Sequence, residues 1–148
     1  MARTEARVAS ADDRDAVIAL WKACGLTRAW NDPVRDFDTA RASNASDVFV
    51  IEADNVIIAS VMVGHDGHRG AVYYLAVAPS HQRQGVGRAL MQHAEDWCVA
   101  RGMWKLNLMV RDDNQDALGF YAALGYAHGH TTQLARWIDP EQPEPKRP

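Results

Sequence analysis

The sequence predicts a single α/β domain, and three observations lead to that prediction. The chain has 148 residues and no internal repeat, which fits the commonest size of one domain. Two stretches, VFVIEA and VIIASVMVG, are rich in the β-branched residues that favour strands. Elsewhere, apolar residues recur at the three- and four-residue spacing of helices. Strands and helices in one short chain indicate a mixed fold with one packed core.

The helices and strands have recognisable beginnings and ends. Ser10 and Asp13 form a capping-box-like start for a first helix, which Gly25 ends. Asp32 followed by Pro33 is typical of the N-cap and first residue of a second helix. The other predicted elements are strands over 6–9, 48–53, 56–64, 71–77 and 105–110, helices over 85–101 and after 114, and a strand pair within 127–138.

Composition and charge narrow the function classes. Hydrophobic residues make up 47% of the chain and charged residues 24%, the balance of an ordinary globular protein. The formal net charge is -3, so the chain lacks the basic excess that nucleic-acid binding requires. No apolar run has the length of a signal-peptide core or of a membrane span. We therefore expect a cytoplasmic protein with neither a nucleic-acid nor a membrane partner.

The sequence predicts no metal centre and a short disordered end. Cys24 and Cys98 each fall on the apolar side of a predicted helix, as small buried hydrophobic residues do. His128 and His130 would share one strand face, but further ligands at a suitable spacing are missing. The tail 140–148 is rich in proline and charge, so we expect it to be disordered and residues 1–139 to form the domain.

The stretch SHQRQGVGRAL lies where the predicted strand 71–77 ends and a helix begins. A strand, a glycine-bearing loop and a helix N-terminus expose backbone N–H groups at the positive end of a helix dipole, which suits an anion such as pyrophosphate. The Walker loop does not fit, because its lysine and Ser/Thr are missing. The G-x-G-x-x-G pattern fails because position 90 is leucine. The alternative is a surface turn whose glycines serve only the backbone geometry.

Two motifs resemble those of the GNAT N-acetyltransferase superfamily. QRQGVG at 82–87, after LAVAP, resembles its acetyl-coenzyme A (acetyl-CoA) signature of Arg or Gln, two residues, Gly, one residue, then Gly or Ala. NQDALGFYAALGY at 114–126 resembles its C-terminal motif with an asparagine and a tyrosine, here Asn114 and Tyr121. The resemblance covers roughly residues 6–138, and HDGHRG and AWNDP are similar to a small bacterial subgroup of undefined substrate. The resemblance to this superfamily implies an α/β fold with a mixed, mostly antiparallel sheet and helices on both faces.

The resemblance also implies a site for acetyl-CoA. Backbone groups of the strand before the loop would pair with the pantetheine amides and polarise the thioester carbonyl, and the loop backbone would take the pyrophosphate. Tyr121 would donate a proton to the departing thiolate, although an aromatic residue at this spacing is also typical of a core. Asn114 could serve only as a helix N-cap. The implied cofactor-binding residues are Leu75, Ala76, Val77, Gln82, Arg83, Gln84, Gly85, Val86, Gly87, Arg88, Asn114 and Tyr121.

The base that removes the proton of the amine is not implied by the family motif. Some family members carry a glutamate early in the strand that is AVYYLAV here, and this sequence has none there. We hypothesise that His68 or Asp66 lies at the acceptor end of the cleft. A tight Asp-Gly hairpin turn explains both residues equally well.

The implied function is N-acetyl transfer from acetyl-CoA to a primary amine of a small molecule or peptide. The alternatives are a protein N-terminal acetyltransferase of the ribosomal-protein type and a non-catalytic module that senses acetyl-CoA. Acceptor recognition would fall to the loop TRAWNDP with Trp30 as an aromatic wall. Family members pair through strands or helices, so a homodimer is compatible with the resemblance.

Overall fold

The computed structural model describes residues 5–141, and the chain divides into two compact units after Met109. The order of elements up to the last helix follows the sequence prediction. The predicted tail falls mostly outside the described residues, since 142–148 are not among them. The helices and strands are β1 (Arg7–Val8), α1 (Arg14–Ala23), α2 (Pro33–Ala42), β2 (Ser46–Ala53), β3 (Val56–His65), β4 (Gly70–Val77), α3 (Val86–Ala100), β5 (Leu106–Leu108) and α4 (Gln115–Ala123).

The first unit contains one mixed sheet with the strand order β1-β2-β3-β4-β5. The first three pairings are antiparallel and β4 pairs with β5 in parallel, which confirms the mostly antiparallel sheet. Asp54 and Asn55 join β2 to β3 with φ of 51° and 63°. Two left-handed residues in a two-residue turn match the right-handed twist of a hairpin, and Asp and Asn tolerate that conformation.

Helices cover both faces of this sheet, as predicted. On one face, Val50 belongs to a buried cluster with Trp21 of α1 and Phe37 of α2. On the other face, the neighbouring Phe49 meets His93 of α3 with ring centroids 4.3 Å apart. Successive strand residues point to opposite faces, so β2 is buried on both sides. Burial of each such large apolar side chain stabilises the fold by about 1.5–3 kcal/mol.

The predicted caps are found at the start of α2 and just ahead of α1. The backbone N–H of Ser10 donates to Oδ2 of Asp13 at 2.7 Å just ahead of α1. Oδ1 of Asp32 accepts from the N–H of Val34 at 3.0 Å, with Pro33 as the first residue of α2. Local side-chain acceptors therefore satisfy N–H groups that the helices leave unpaired.

A close approach fixes the beginning of β4 against α3. A Cβ atom built on Gly70 would overlap Sγ of Cys98, so only glycine fits where this strand crosses the helix. Cys98 is buried and carries a free thiol.

The predicted strand pair within 127–138 is wrong. These residues have no regular structure, and Leu134 and Ile138 are about nine-tenths exposed. Residues 127–138 are exposed throughout, so they lack the buried apolar face that stabilises a strand pair. His130 has φ of 57°, which also breaks an extended run. Within residues 5–141, no helix is long and apolar enough to cross a membrane.

Candidate active site

β4 carries a bulge in its pairing with β3. The register shifts between Ser60 and Met62, whose partners are Ala76 and Tyr73, so β4 has one extra residue at this point. Tyr74 lies in the bulge with φ of 52°. It is the only residue inside a helix or strand of the described chain with a left-handed backbone. Bulges of this kind redirect the backbone and are frequent beside active sites.

The same strand has a free edge after its first three residues. β5 pairs with Gly70, Ala71 and Val72 and then ends. On that edge, residues 73–77 have no partner among the described strands. Backbone groups along this edge, which includes Leu75, Ala76 and Val77, can therefore pair with an extended ligand, apart from the Val77 carbonyl, which accepts hydrogen bonds from two side chains of the protein.

The loop after β4 leads into a helix end that no side chain caps. Arg83 and Gly85 have φ of 62° and 81°, and Gly85 is the N-cap of α3. Its carbonyl oxygen accepts from the N–H of Ala89 at 3.0 Å. The N–H groups of residues 86–88 therefore have no partner within the helix and suit an anion. The exposed side chains of the loop are Gln82, Arg83, Gln84 and Arg88, whereas Val86 is buried and Gly87 is half-buried.

Gln82, the first residue of the predicted signature, fastens the loop to the strand. Its Nε2 donates to the carbonyl oxygen of Val77 at 3.1 Å. Sγ of Cys24 donates to the same oxygen at 3.3 Å. The Gln82 side chain therefore positions the loop.

Sequence reasoning missed a network that connects the bulge to α1 and α2. The Tyr74 hydroxyl donates to Oδ2 of Asp36 at 2.6 Å. The Tyr74 ring stacks on Trp21 with centroids 3.9 Å apart, and Nε1 of Trp21 donates to Oγ of Ser60 at 3.0 Å. Burial raises the pKa of Tyr74, and the bond to Asp36 raises it further. The only signal in the sequence is a tyrosine pair inside an apolar strand.

The turn between β3 and β4 holds the two predicted base candidates. Oδ1 of Asp66 accepts from the N–H groups of His68 and Arg69, both at 2.8 Å. These backbone bonds lower the pKa of Asp66. Along β4, Tyr74 lies four residues beyond Gly70, about 13 Å at about 3.3 Å per residue, which separates the bulge from the end of the turn. The two hydrogen bonds that Asp66 accepts from backbone N–H groups give this residue a structural role in the turn.

The second unit holds Asn114 and Tyr121. Oδ1 of Asn114 accepts from the N–H of Ala117 at 3.1 Å, so this residue is the N-cap of α4. Tyr121 is half-buried, with the rings of Phe120 and Tyr126 at centroid distances of 5.1 and 5.8 Å. Burial raises the pKa of Tyr121 to about 12. Its phenol is therefore protonated at neutral pH.

Within residues 5–141, no group of three or more His, Cys, Asp and Glu side chains could hold a metal ion. His128 and His130 are both exposed. Cys24 is half-buried and, like Cys98, is a free thiol.

Comparison with known proteins gives the family. Residues 11–126 match the Acetyltransferase (GNAT) family, which is most of the chain. The chain belongs to the GNAT acetyltransferase family. This GNAT chain is 40% identical to an acetyltransferase of Yersinia pestis (strain Pestoides F) over 138 residues, 93% of this chain and 98% of the relative. It is 43% identical to an acetyltransferase of Pectobacterium atrosepticum over 123 residues, 82% of this chain and 86% of the relative.

The GNAT fold is also found in a solved structure, that of AAC(6')-Iy in complex with the bisubstrate analogue CoA-S-monomethyl-acetylneamine. The TM-score is 0.76 at 17% identity, over 91% of this chain and 98% of the other. At that identity the likeness concerns the fold. The family match and the curated relatives show that this GNAT protein is an acetyltransferase.

Proposed function

We propose that this GNAT protein moves the acetyl group of acetyl-CoA directly to a primary amine of a small molecule or peptide. One observation carries the proposal, the free edge of β4 at residues 73–77 followed by the uncapped start of α3. The free edge suits the amides of an extended pantetheine chain, and the helix start suits a diphosphate. Arg83 and Arg88, both exposed, add positive charge beside it.

In the proposed reaction the amine nitrogen attacks the thioester carbonyl carbon and the C–S bond breaks. An alkyl ammonium, with a pKa near 10.4, must first lose a proton to expose its lone pair. The nitrogen loses a second proton as the amide forms, and the thiolate takes one. Backbone N–H groups of Leu75–Val77 would stabilise the negative charge that develops on the carbonyl oxygen.

Tyr121 is the proposed proton donor to the thiolate. Burial raises its pKa to about 12, which keeps the phenol protonated. Full transfer to a thiolate of pKa about 8.5 is uphill, so the main contribution is a charge-assisted hydrogen bond to the sulfur, with solvent replacing any proton given up. Asn114 supports this residue by capping the helix that carries it.

Removal of the proton from the amine is assigned to His68 as a hypothesis, because Asp66 is already bound to its own turn. The turn lies at the far end of β4 from the bulge, so a proton path to His68 would run through water. His68→Ala should lower turnover and remove one ionisation from its pH profile. If the pH profile of His68→Ala has the same shape as that of wild type, another group removes the proton from the amine.

We propose a cytoplasmic setting, because both free thiols fit a reducing compartment. No metal takes part in the proposed reaction. A homodimer stays a prediction, which the molar mass in solution would check.

The test combines calorimetry with a thiol-release assay over a panel of amines. Binding of acetyl-CoA at 100 times its dissociation constant should stabilise the protein by about 2.7 kcal/mol. Heat on titration together with thiol release supports the proposal. Heat without release for every amine favours a sensing module, and release confined to peptides with a free N-terminus favours an N-terminal acetyltransferase. Absence of heat contradicts all three.

A further inference from the structure

Asp36 of α2 is a half-buried carboxylate with an incomplete set of partners. Oδ2 accepts the Tyr74 hydroxyl at 2.6 Å, and Oδ1 accepts no hydrogen bond from residues 5–141. In that part of the chain no Lys, Arg or His forms an ion pair with Asp36. Because Asp36 is only half-buried and Oδ1 is not among the buried atoms that lack a partner, this oxygen is open to a ligand from solvent, and a cation there would complete the partners of the carboxylate.

The other carboxylates near the start of the same helix are accounted for. Asp32 caps α2 through the N–H groups of Val34 and Arg35. Asp38 is exposed and pairs with Arg14 at 3.1 Å. Asp36 differs from both: it lies in the first turn of α2, where the helix dipole favours a negative charge, and its side-chain partner is a neutral phenol rather than backbone N–H groups or an arginine.

The residue that holds Asp36 is itself strained. A left-handed backbone is unfavourable for a bulky residue such as Tyr74, and such conformations persist where surrounding contacts hold them. Here the stack on Trp21 and the bond to Asp36 hold it. The bulge lies directly before Leu75–Val77, the edge proposed for the thioester. The Asp36 carboxylate is thus separated from that edge by one phenol ring.

We propose that Asp36 binds the ammonium group of the acceptor amine through Oδ1, with Tyr74 as the positioning residue that fixes the carboxylate. This inference rests on the proposed function and narrows its acceptor. An aliphatic amine is protonated at neutral pH, whereas an arylamine is neutral. The acceptor class is therefore a cationic aliphatic amine, and neutral arylamines gain nothing from this residue.

The test compares wild type with Asp36→Asn, using spermidine as the charged probe and p-anisidine as the neutral one. Asparagine keeps the shape and can still accept from the phenol, but it carries no charge. A hydrogen bond to a charged group is worth more than a neutral one, so KM for spermidine should rise about 10- to 100-fold. The kcat value, KM for acetyl-CoA and the kinetics of p-anisidine should stay close to wild type.

Two further variants separate binding from a structural role. Asp38→Asn makes the same change of charge at an exposed position of the same helix and should leave all constants unchanged. Tyr74→Phe keeps the stack on Trp21 but removes the donor. Because its carboxylate retains its charge but loses its anchor, KM for spermidine should rise by less than in Asp36→Asn.

The possible failures are distinguishable. An unchanged KM for spermidine in an Asp36→Asn protein that binds acetyl-CoA normally overturns the role of Asp36 and leaves the proposed function intact. If both Asp36→Asn and Tyr74→Phe lose acetyl-CoA binding, the pair has a purely structural role and the inference is overturned. Failure of the wild type to bind acetyl-CoA, or to acetylate any amine, overturns the inference and the proposed function together.

Discussion

The indole N–H of Trp21 donates a 3.0 Å hydrogen bond to Oγ of Ser60, and both side chains are completely buried. Ser60 is the only polar residue among the buried residues of the described chain. The pair joins α1 to the centre of the sheet, directly under the bulge that Tyr74 occupies. A polar group inside an apolar core fixes one register, because any shift leaves both groups without a partner.

Ser60→Ala should lower the free energy of unfolding by about 1–3 kcal/mol, because it leaves the indole N–H buried without an acceptor. Urea denaturation measures the change, and Ser80→Ala, at an exposed position, is the control. The double variant with Trp21→Phe should lose less stability than the two single losses added together. Strict additivity would mean that the hydrogen bond contributes nothing.

Gly85→Ala should weaken acetyl-CoA binding by about tenfold. An alanine at φ of 81° is strained by about 1–2 kcal/mol, and the N-cap would relax away from that conformation. The matched control is Gly102→Ala, since Gly102 follows the other end of α3 with φ of 78° and, like Gly85, has open space around its Cβ position. Both variants should lose similar stability, but only Gly85→Ala should change the calorimetric affinity. An equal loss of affinity in both variants would mean that the N-terminus of α3 does not bind acetyl-CoA.

Tyr121→Phe should lower kcat by about 10- to 100-fold, as expected for loss of a hydrogen bond to a charged group, and leave KM for acetyl-CoA unchanged. Steady-state kinetics at varied acetyl-CoA concentration measure both constants. Because the pKa of Tyr121 is raised to about 12, wild-type activity should show no loss from ionisation of this phenol below about pH 10. Full activity of the phenylalanine variant would leave Tyr121 as a core residue.

Asp13 should make the free energy of unfolding depend on pH in the acid range. Arg7 donates to both carboxylate oxygens at 2.7 and 3.0 Å and lowers the pKa of Asp13 from 3.8 to about 2. A lowered folded-state pKa contributes stability that is present above about pH 4 and lost as the pH falls through 2. Since Arg7 is partly exposed, about 1 kcal/mol is expected at neutral pH.

Asp13→Asn should show this loss in urea denaturation at pH 7, and the difference from wild type should shrink toward pH 2. The exposed Asp12→Asn is the control. A difference that stays constant from pH 7 to pH 2 would mean that the ion pair with Arg7 does not stabilise the fold.

Local chemistry explains what the sequence could predict. Asp32-Pro33 defines a cap, and the glycines at 85 and 87 define a loop, through the residues themselves. The bond from Tyr74 to Asp36 joins residues 38 positions apart, and no local pattern reports it. The failed strand pair at 127–138 shows the converse, because apolar residues indicate a strand only when a neighbouring strand completes the pairing.

The contact between Gly70 and Cys98 makes the Cys98 thiol a probe of local opening between β4 and α3. Burial raises the pKa of the Cys98 thiol, so in the native protein it is both shielded and weakly nucleophilic. Because Gly70 lies directly against the sulfur, lifting of the start of β4 off α3 would expose it to an alkylating reagent. The rate of alkylation of Cys98 therefore measures how often this layer opens, and tightly held acetyl-CoA should slow that rate if it clamps the strand to the helix.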